Sequence, residues 1–512
     1  MDKIRATLPL RQVIPVLAVY VILTAIGLHF HEMGLEEGQQ YLFGRDSISA
    51  ADLYHNMRYE GHPRLWCFLL YLIIHHLTAD FAAIQALHLL ITTCSVCLFL
   101  RYAPFGLLMK IGIVFGYYFI FEYNLQSRSY GLGILLLFFT CVLLNYPSKY
   151  LIAIGCLLFL LCNTDIFYAF AAGGIFLSLL ADALRRRLPA LPFGVLTALL
   201  LAGMGCALIQ AQVPRGDYIL HISPGAWLSQ KNLMAGMVAL PEGWLPVPGD
   251  RLHFWNTFLI NSRHLSFVRV LLFLLLLAFP AAVLKDHRKA LVFYYASLFL
   301  LLALLVATTL SAARYFGMVY IYFLAACWMA GEGLAVRVPG TAPGLGAVGL
   351  LRIAFGVMVA VQLIVGGFAL TQDLIRPFSQ AKNAVAWLRD SRLDQQPIVV
   401  GEYIAGPALS TYLGKKVWYL NTGDLGSFCL WRRPYMPQPP RAIGEEMASA
   451  TFLQKLDNFV LLSAKQLDPR LVQEGAGDFR LSPLKSFPNG ILPMEDCYIY
   501  QATRQQIIKN QE

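Results

Sequence analysis

The residues best suited to chemistry lie in one polar stretch, residues 31–66, between two strongly apolar segments. The stretch holds four glutamates, two aspartates and three arginines, and it contains the adjacent pair Glu36 and Glu37. Two carboxylates at a membrane face can deprotonate an attacking hydroxyl group, because one can stay ionised while the other orients it or binds a metal ion. The alternative is a pair of solvated loop glutamates. So many ionisable groups in the first loop favour the floor of an active site.

The end of the same stretch carries a second candidate, the sequence Glu60-Gly61-His62-Pro63. Pro63 fixes the direction of the chain where it returns to apolar sequence. Glu60 and His62 are equally compatible with hydrogen bonds to the loop backbone and with contacts to a polar substrate.

Arg128 and Tyr130 form a third candidate, in a short polar segment between two apolar runs. An arginine can hold a phosphate through two parallel hydrogen bonds, which a lipid-phosphate substrate would need. The alternative for Arg128 is a side chain that snorkels to the lipid headgroups.

A long polar segment, residues 214–264, supplies the fourth candidate: Arg251, His253 and His264. The two histidines could bind a metal ion together with loop carboxylates, but their spacing is not diagnostic of a metal site. The sequence therefore favours no metal at these histidines. It leaves open whether the protein uses a divalent metal ion, and it indicates no other cofactor.

The elements that must position these residues are apolar helices. Of the 512 residues 57% are hydrophobic and only 14% are charged, and the mean hydropathy is +0.58. Soluble domains carry roughly a quarter charged residues. Basic residues cluster beside the apolar runs, which is typical of topology signals and not of nucleic-acid binding. The composition predicts a mainly α-helical polytopic membrane protein without a nucleic-acid partner.

The apolar runs predict about eleven spans of membrane-crossing length and one shorter segment. Basic residues before the first span place the N-terminus in the cytoplasm, and this span is long enough to be retained and not cleaved. Residues 65–74 are too few to cross, so we expect a re-entrant or interfacial helix there. If residues 65–74 do not cross, the remaining spans alternate so that all four candidate groups lie on the extracytoplasmic side of the membrane. The predicted spans are residues 12–30, 81–100, 107–123, 130–145, 150–162, 166–183, 190–211, 265–284, 290–310, 315–333 and 349–370.

The composition changes near residue 371, so we predict a transmembrane domain over 1–370 and a small extracytoplasmic α/β domain over 371–512. Short apolar runs alternate with helical patterns there, which favours a largely parallel sheet. Cys429 and Cys497 lie in this region and could pair in an oxidising compartment. We expect the domain to contact the acceptor or to cover the site.

The order of several motifs resembles the polytopic C-type glycosyltransferases, in the branch with bacterial aminoarabinose transferase and the protein O-mannosyltransferases. The motifs are the acidic pair after the first span, EGHPRLW, QSRSYGLGILLLFF, NTDIFYAF, SAARYFG with Arg314, and FSQAKNAVAWLR. The resemblance covers most of the chain, although each motif is short.

This resemblance implies transfer of a sugar from a polyprenyl-phosphate donor to a lipid, glycan or protein acceptor on the outer face of the plasma (inner) membrane. It places Glu36 at the position of the catalytic base and Glu37 beside it. The family usually has aspartate first, so the choice between the two stays open. The resemblance also implies that Glu60 and His62 line the cavity, and that Arg128 matches the arginine of the second outer loop.

A transporter or flippase of lipid-linked glycans is the alternative. Such a protein should carry charges deep within its spans, whereas the charges here concentrate in the outer loops. A scaffold with a membrane anchor ranks last, because an anchor needs only one or two spans.

Overall fold

A computed structural model of the chain describes residues 7–214, 216–219, 229–308, 310–331, 347–436 and 441–505. It is an apolar helical bundle followed by a smaller region that contains one sheet, as the sequence predicts. The helices are α1 (Leu10–Phe30), α2 (Leu35–Asp46), α3 (Ala50–Asn56), α4 (Leu65–His76), α5 (Phe81–Tyr102), α6 (Leu107–Val114), α7 (Ser129–Leu143), α8 (Pro147–Thr164), α9 (Ile166–Leu184), α10 (Ala190–Gln210), α11 (Gln230–Trp244), α12 (Ser266–Val283), α13 (Arg288–Thr308), α14 (Ala313–Ala330), α15 (Ala347–Ile375), α16 (Ala381–Asp390), α17 (Gly406–Leu413), α18 (Ile443–Ser449) and α19 (Pro469–Glu474).

Within the described residues, nine helices are long and apolar enough to cross a membrane: α1, α5, α8, α9, α10, α12, α13, α14 and α15. The protein is therefore an integral membrane protein. Its central helix is α14, in which every residue from Ala313 to Trp328 is buried.

Two of the predicted spans are not single long helices in the structure. The segment predicted as 107–123 is split, because α6 ends at Val114 and a π-helical turn covers Tyr118–Glu122. The break coincides with a close approach of α15, where a Cβ on Gly366 would lie 2.8 Å from the backbone nitrogen of Tyr117. The other, α7, has 15 residues. Length and composition thus identify nine candidate spans within the described residues, against the eleven predicted from the sequence.

The first polar stretch is largely helical and not a loop. It contains α2 and α3, and Ser49 caps α3 by accepting a hydrogen bond from the backbone nitrogen of Asp52. The following helix, α4, has 12 residues, or about 18 Å at 1.5 Å per residue. A bilayer core is about 30 Å thick, so α4 is too short to cross it, as expected.

The predicted loop over 214–264 is also partly helical, since it contains α11. Residues 215 and 220–228 of this segment lie outside the described residues.

The C-terminal region holds a six-stranded sheet in the order β3-β2-β1-β4-β6-β5. Only the β1–β2 and β1–β4 pairs are parallel, so the prediction of a largely parallel sheet was wrong. A parallel pair needs a crossover connection, which α17 provides between β1 and β2, whereas β5 and β6 follow each other closely as an antiparallel pair. The strands are β1 (Ile398–Val400), β2 (Val417–Tyr419), β3 (Leu425–Gly426), β4 (Asn458–Ser463), β5 (Phe479–Phe487) and β6 (Cys497–Arg504).

This region packs directly on the first polar stretch. A Cβ on Gly38 of α2 would lie 2.8 Å from Oγ1 of Thr411 in α17, so the two helices are in close contact. Gln39 accepts a hydrogen bond from the backbone nitrogen of Cys429 at 2.9 Å. Cys429 and Cys497 are both buried free thiols and not a disulfide.

Candidate functional site

A cavity of about 320 Å³ lies between the helical bundle and the C-terminal region. It is built from six parts of the chain that are remote in sequence. Its lining residues are Gly34, Leu35, Glu36, Glu37, Gln126, Trp255, Asn256, Leu310, Ser311, Ala312, Arg314, Tyr315, Phe378, Leu492, Met494 and Glu495.

Glu36 lies in this cavity between two arginines. Its Oε1 is 2.5 Å from Nη2 of Arg314, and its Oε2 contacts Nη1 of Arg128. The carboxylate is 23% exposed, and the side chains of Arg128 and Arg314 are 12% and 10% exposed. The three ions therefore form a partly solvated cluster with an excess of one positive charge.

Glu37 also borders the cavity, but its carboxylate is buried in a different environment. Its Oε1 accepts a hydrogen bond from the backbone nitrogen of Ser127 at 2.7 Å, and its Oε2 is 2.9 Å from Nε2 of His31. The other ring nitrogen of His31 is 2.8 Å from Asp373 at the end of α15. Burial alone would lower the pKa of His31, but the charges of Asp373 and Glu37 raise it well above its ordinary value. His31 thus ties the first polar stretch to α15.

Helix geometry explains why the two glutamates separate. Consecutive residues in an α-helix point about 100° apart. When Glu36 faces the cavity at the first turn of α2, the carboxylate of Glu37 therefore points in another direction, towards His31 and the backbone nitrogen of Ser127. The first turn itself is held by Glu495, whose Oε1 accepts a hydrogen bond from the backbone nitrogen of Leu35 at 2.7 Å. Burial raises the pKa of Glu495 to about 7.

Aromatic rings hold the two arginines. The guanidinium of Arg128 lies 5.6 Å from the ring centre of Tyr130, which is buried and stacks on Tyr123. Arg314 donates to the hydroxyl of Tyr315 at 3.0 Å. Burial alone would lower the pKa of Arg128, but the facing carboxylate of Glu36 raises it. Tyr130 thus packs against the guanidinium of Arg128 and does not itself line the cavity.

Glu60 and His62 form a neighbouring polar cluster outside the cavity lining. Oε1 of Glu60 accepts hydrogen bonds from Gln39 and from the indole of Trp431, both at 2.7 Å. Burial raises the pKa of Glu60. Nδ1 of His62 is buried without a hydrogen-bond partner in the described chain.

Three further predicted site residues, all from the 214–264 segment, lie away from the cavity. The backbone of His253 is held by Asp250, and its ring nitrogen Nδ1 is 3.4 Å from the carbonyl oxygen of Ile491. Arg251 and His264 are exposed. The 214–264 segment contributes Trp255 and Asn256 to the cavity instead.

Several cavity residues escaped the sequence analysis. Glu495, Met494 and Phe378 come from the C-terminal region, more than 300 positions after Glu36. The segment PMED before the last strand was the available signal, because it places an acidic pair at the start of an apolar strand.

The described residues contain no group of three or more histidine, cysteine, aspartate or glutamate side chains arranged to hold a metal ion. The carboxylates of Glu36 and Glu37 are instead satisfied by arginines, by His31 and by a backbone nitrogen. The donors present at the cavity fit an anionic substrate better than a metal ion, since the guanidinium of Arg314 lines it and that of Arg128 contacts Glu36.

The chain is similar in structure to ArnT from Cupriavidus metallidurans, whose crystal structure was determined bound to undecaprenyl phosphate. The TM-score is 0.50, the sequence identity is 12%, and the match covers 95% of this chain and 97% of that chain. No protein-family model and no curated protein sequence matches the chain. The similarity shows that the chain shares the fold of ArnT over almost its whole length.

Proposed function

We propose that the protein is a membrane glycosyltransferase that moves a sugar from a polyprenyl-phosphate donor to an acceptor, with inversion at the anomeric carbon. The observation that carries this proposal is the position of Glu36 between Arg128 and Arg314 in a cavity beside the bundle. The bound lipid in the ArnT structure adds support, since it is a polyprenyl phosphate.

The two arginines are the binding site for the donor phosphate. Guanidinium groups bind phosphate and carboxylate oxygens in the same planar, bidentate manner. The phosphate of the donor therefore replaces Glu36 on the arginines when it enters the cavity. In the absence of the donor, Glu36 forms an ion pair with each cation and keeps both in position.

The displaced carboxylate of Glu36 becomes the base. It takes the proton from the hydroxyl or amine of the acceptor as that atom bonds to the anomeric carbon. The bond between the anomeric carbon and the phosphate oxygen breaks, and the electron pair leaves with the phosphate. Arg128 and Arg314 stabilise the negative charge that develops there. Attack from the face opposite the phosphate inverts the configuration.

The C-terminal region forms the acceptor side of the cavity through Phe378, Met494 and Glu495. We assign the cavity to the outer (periplasmic) face of the plasma (inner) membrane, with the N-terminus in the cytoplasm. At the opposite end of the bundle, Asp182 contacts Arg187 and Lys289. This end is rich in basic residues, which supports its cytoplasmic location.

The test is a transfer assay in proteoliposomes with a panel of radiolabelled polyprenyl-phosphate sugars and an envelope extract as acceptor. Wild type is compared with Glu36→Gln and with Glu474→Gln, an exposed glutamate in the C-terminal region. We expect label to move to the acceptor with wild type and Glu474→Gln, and not with Glu36→Gln. The donor that supports transfer identifies the sugar.

Absence of transfer with every donor, from folded wild-type protein, would contradict the proposal. Movement of a lipid-linked sugar across the vesicle membrane without a new glycosidic bond would then favour the transporter alternative.

A further inference from the structure

A second cavity of about 320 Å³ lies on another side of the molecule, between the short helices α3 and α4 and the ends of α8 and α10. It shares no lining residue with the cavity at Glu36. Its lining residues are Ala50, Leu53, Tyr54, Arg64, Leu65, Phe68, Phe159, Asn163, Cys206 and Gln210.

One buried cation lines this apolar cavity. Arg64 is 6% exposed, and its guanidinium stacks on the ring of Tyr54 at 3.8 Å. Its Nη2 makes a long hydrogen bond of 3.4 Å to the carbonyl oxygen of Met57, while Nε and Nη1 have no hydrogen-bond partner in the described chain. No acidic side chain of the described residues forms an ion pair with Arg64. A buried cation in this state is costly unless an anion completes its hydrogen bonds.

Two amides extend the polar end of the cavity. Gln210, at the end of α10, accepts a hydrogen bond from the backbone nitrogen of Arg64 at 2.8 Å and donates to Asn163 of α8 at 2.7 Å. The polar groups are thus confined to one end, and the rest of the wall is carbon-rich. This distribution matches an amphiphile with a charged head and an apolar tail.

The apolar end of the cavity opens among side chains that face outward. Phe68 is 39% exposed, and next to the cavity Leu208 and Ile209 of α10 are 68% and 55% exposed. Because α10 is one of the apolar membrane-spanning helices, these side chains contact lipid. The cavity therefore opens towards the bilayer.

We infer that this cavity binds an anionic phospholipid of the surrounding bilayer, with its phosphodiester on the free nitrogens of Arg64 and its acyl chains along Phe68, Phe159 and Cys206. One guanidinium matches the single charge of a phosphodiester. The paired arginines of the other cavity match the doubly charged phosphate that leaves in the proposed reaction. No carboxylate lines the second cavity, so a reacting lipid would find no base there.

The bound lipid would connect the turn that carries Glu60 and His62 to helices α8 and α10. Arg64 precedes α4 directly and follows Glu60 and His62 by a few residues. A phosphate on Arg64 would therefore hold this turn against α8 and α10. This inference is independent of the proposed reaction, because it concerns lipid retention and not transfer.

The test is native mass spectrometry of the full-length protein in detergent, with phosphatidylglycerol, phosphatidylcholine or polyprenyl phosphate added at equal concentrations. We expect wild type to retain phosphatidylglycerol in preference to the other two lipids. Arg64→Gln should reduce the retained fraction about tenfold, since it removes the charge-assisted hydrogen bonds to the phosphodiester. Arg58→Gln is the matched control, because Arg58 lies in the same stretch and outside the cavity lining.

A second variant covers the case in which Arg64→Gln does not fold. Cys206 is an exposed residue of α10 that lines the cavity, so Cys206→Trp should fill the cavity and keep Arg64 itself unchanged. It should reduce retention of phosphatidylglycerol in the same way. Equal retention by wild type and both cavity variants would overturn the inference. Preferential retention of polyprenyl phosphate, lost in Arg64→Gln, would overturn it as well, because the cavity would then be a site for the carrier lipid.

Discussion

Glu36 and Glu37 are neighbours in sequence, but their surroundings are opposite in character. Glu36 is partly exposed in the cavity, and both of its oxygens face arginines that also face the solvent. Glu37 is buried, with one oxygen on a backbone nitrogen and the other on His31. In the proposed reaction the donor phosphate exchanges with the first carboxylate, whereas the second stays in its buried hydrogen bonds. The difference indicates that two adjacent acidic residues can have separate roles. One can be available to a substrate while the other holds the surrounding helices together.

The largest effect should follow from removal of both cations that face Glu36. We expect Arg128→Gln combined with Arg314→Gln to lower kcat/KM for sugar transfer by roughly 10³-fold or more, because each charged hydrogen bond contributes about 1.5–3 kcal/mol. Steady-state kinetics in proteoliposomes check this. Unchanged kcat/KM in the double variant would show that the donor phosphate binds elsewhere.

Removal of the group that holds Glu37 should affect stability more than chemistry. We expect His31→Ala to lower the free energy of unfolding by about 3–5 kcal/mol, since it leaves the buried carboxylates of Glu37 and Asp373 without their shared cation. Unfolding by detergent titration in mixed micelles measures it, with exposed His264→Ala as the control. A loss no greater than that of the control would mean that the buried hydrogen bonds from His31 to Glu37 and Asp373 do not hold α2 in place.

Glu495 lies near both glutamates and should make stability depend on pH. Its pKa is raised to about 7 in the folded protein, against an ordinary value of 4.5. The folded state therefore binds the extra proton, so the contribution is fully present below pH 4.5 and is lost as the pH rises through 7.

The loss amounts to about 3 kcal/mol over that range at 1.36 kcal/mol per pKa unit. Glu495→Gln keeps the hydrogen bond to Leu35 and should flatten this part of the profile. Thermal unfolding of wild type and variant between pH 4.5 and 8 provides the measurement. Parallel profiles for the two proteins would contradict the assignment.

The smallest effect is expected outside the cavity. Arg251→Gln and His264→Gln remove exposed side chains that the cavity does not include, so each should change transfer by less than about twofold, as is usual for surface substitutions. The same kinetic assay applies. A tenfold loss in either variant would extend the substrate site along the 214–264 segment.

The sequence singled out several residues that the structure brings into contact. The acidic pair, Arg128 and Arg314 were each singled out from residue type and position beside an apolar run, and the structure brings all four together. Their grouping on one face followed from counting spans, which depends only on hydrophobicity and on basic residues.

The remaining parts depend on contacts that no local pattern reveals. Asp373 meets His31 across 342 positions, and Glu495 reaches Leu35 across 460. To choose between Glu36 and Glu37, one must know which side of α2 each residue occupies. The sequence analysis predicted a loop for this stretch and so could not supply that direction. Arg251 and His264 have suitable chemistry, but the turn at Asp250 and the short helical turns after it leave them at the surface.

The central claim is that Glu36 occupies the phosphate site until the donor displaces it. The direct measurement is the dissociation constant of polyprenyl phosphate for wild type and Glu36→Gln, with turnover measured on the same samples. We expect Glu36→Gln to bind the lipid about tenfold more tightly, because a charge-assisted competitor is gone, and to show no turnover. Weaker binding by Glu36→Gln, or turnover at the wild-type rate, would contradict the account.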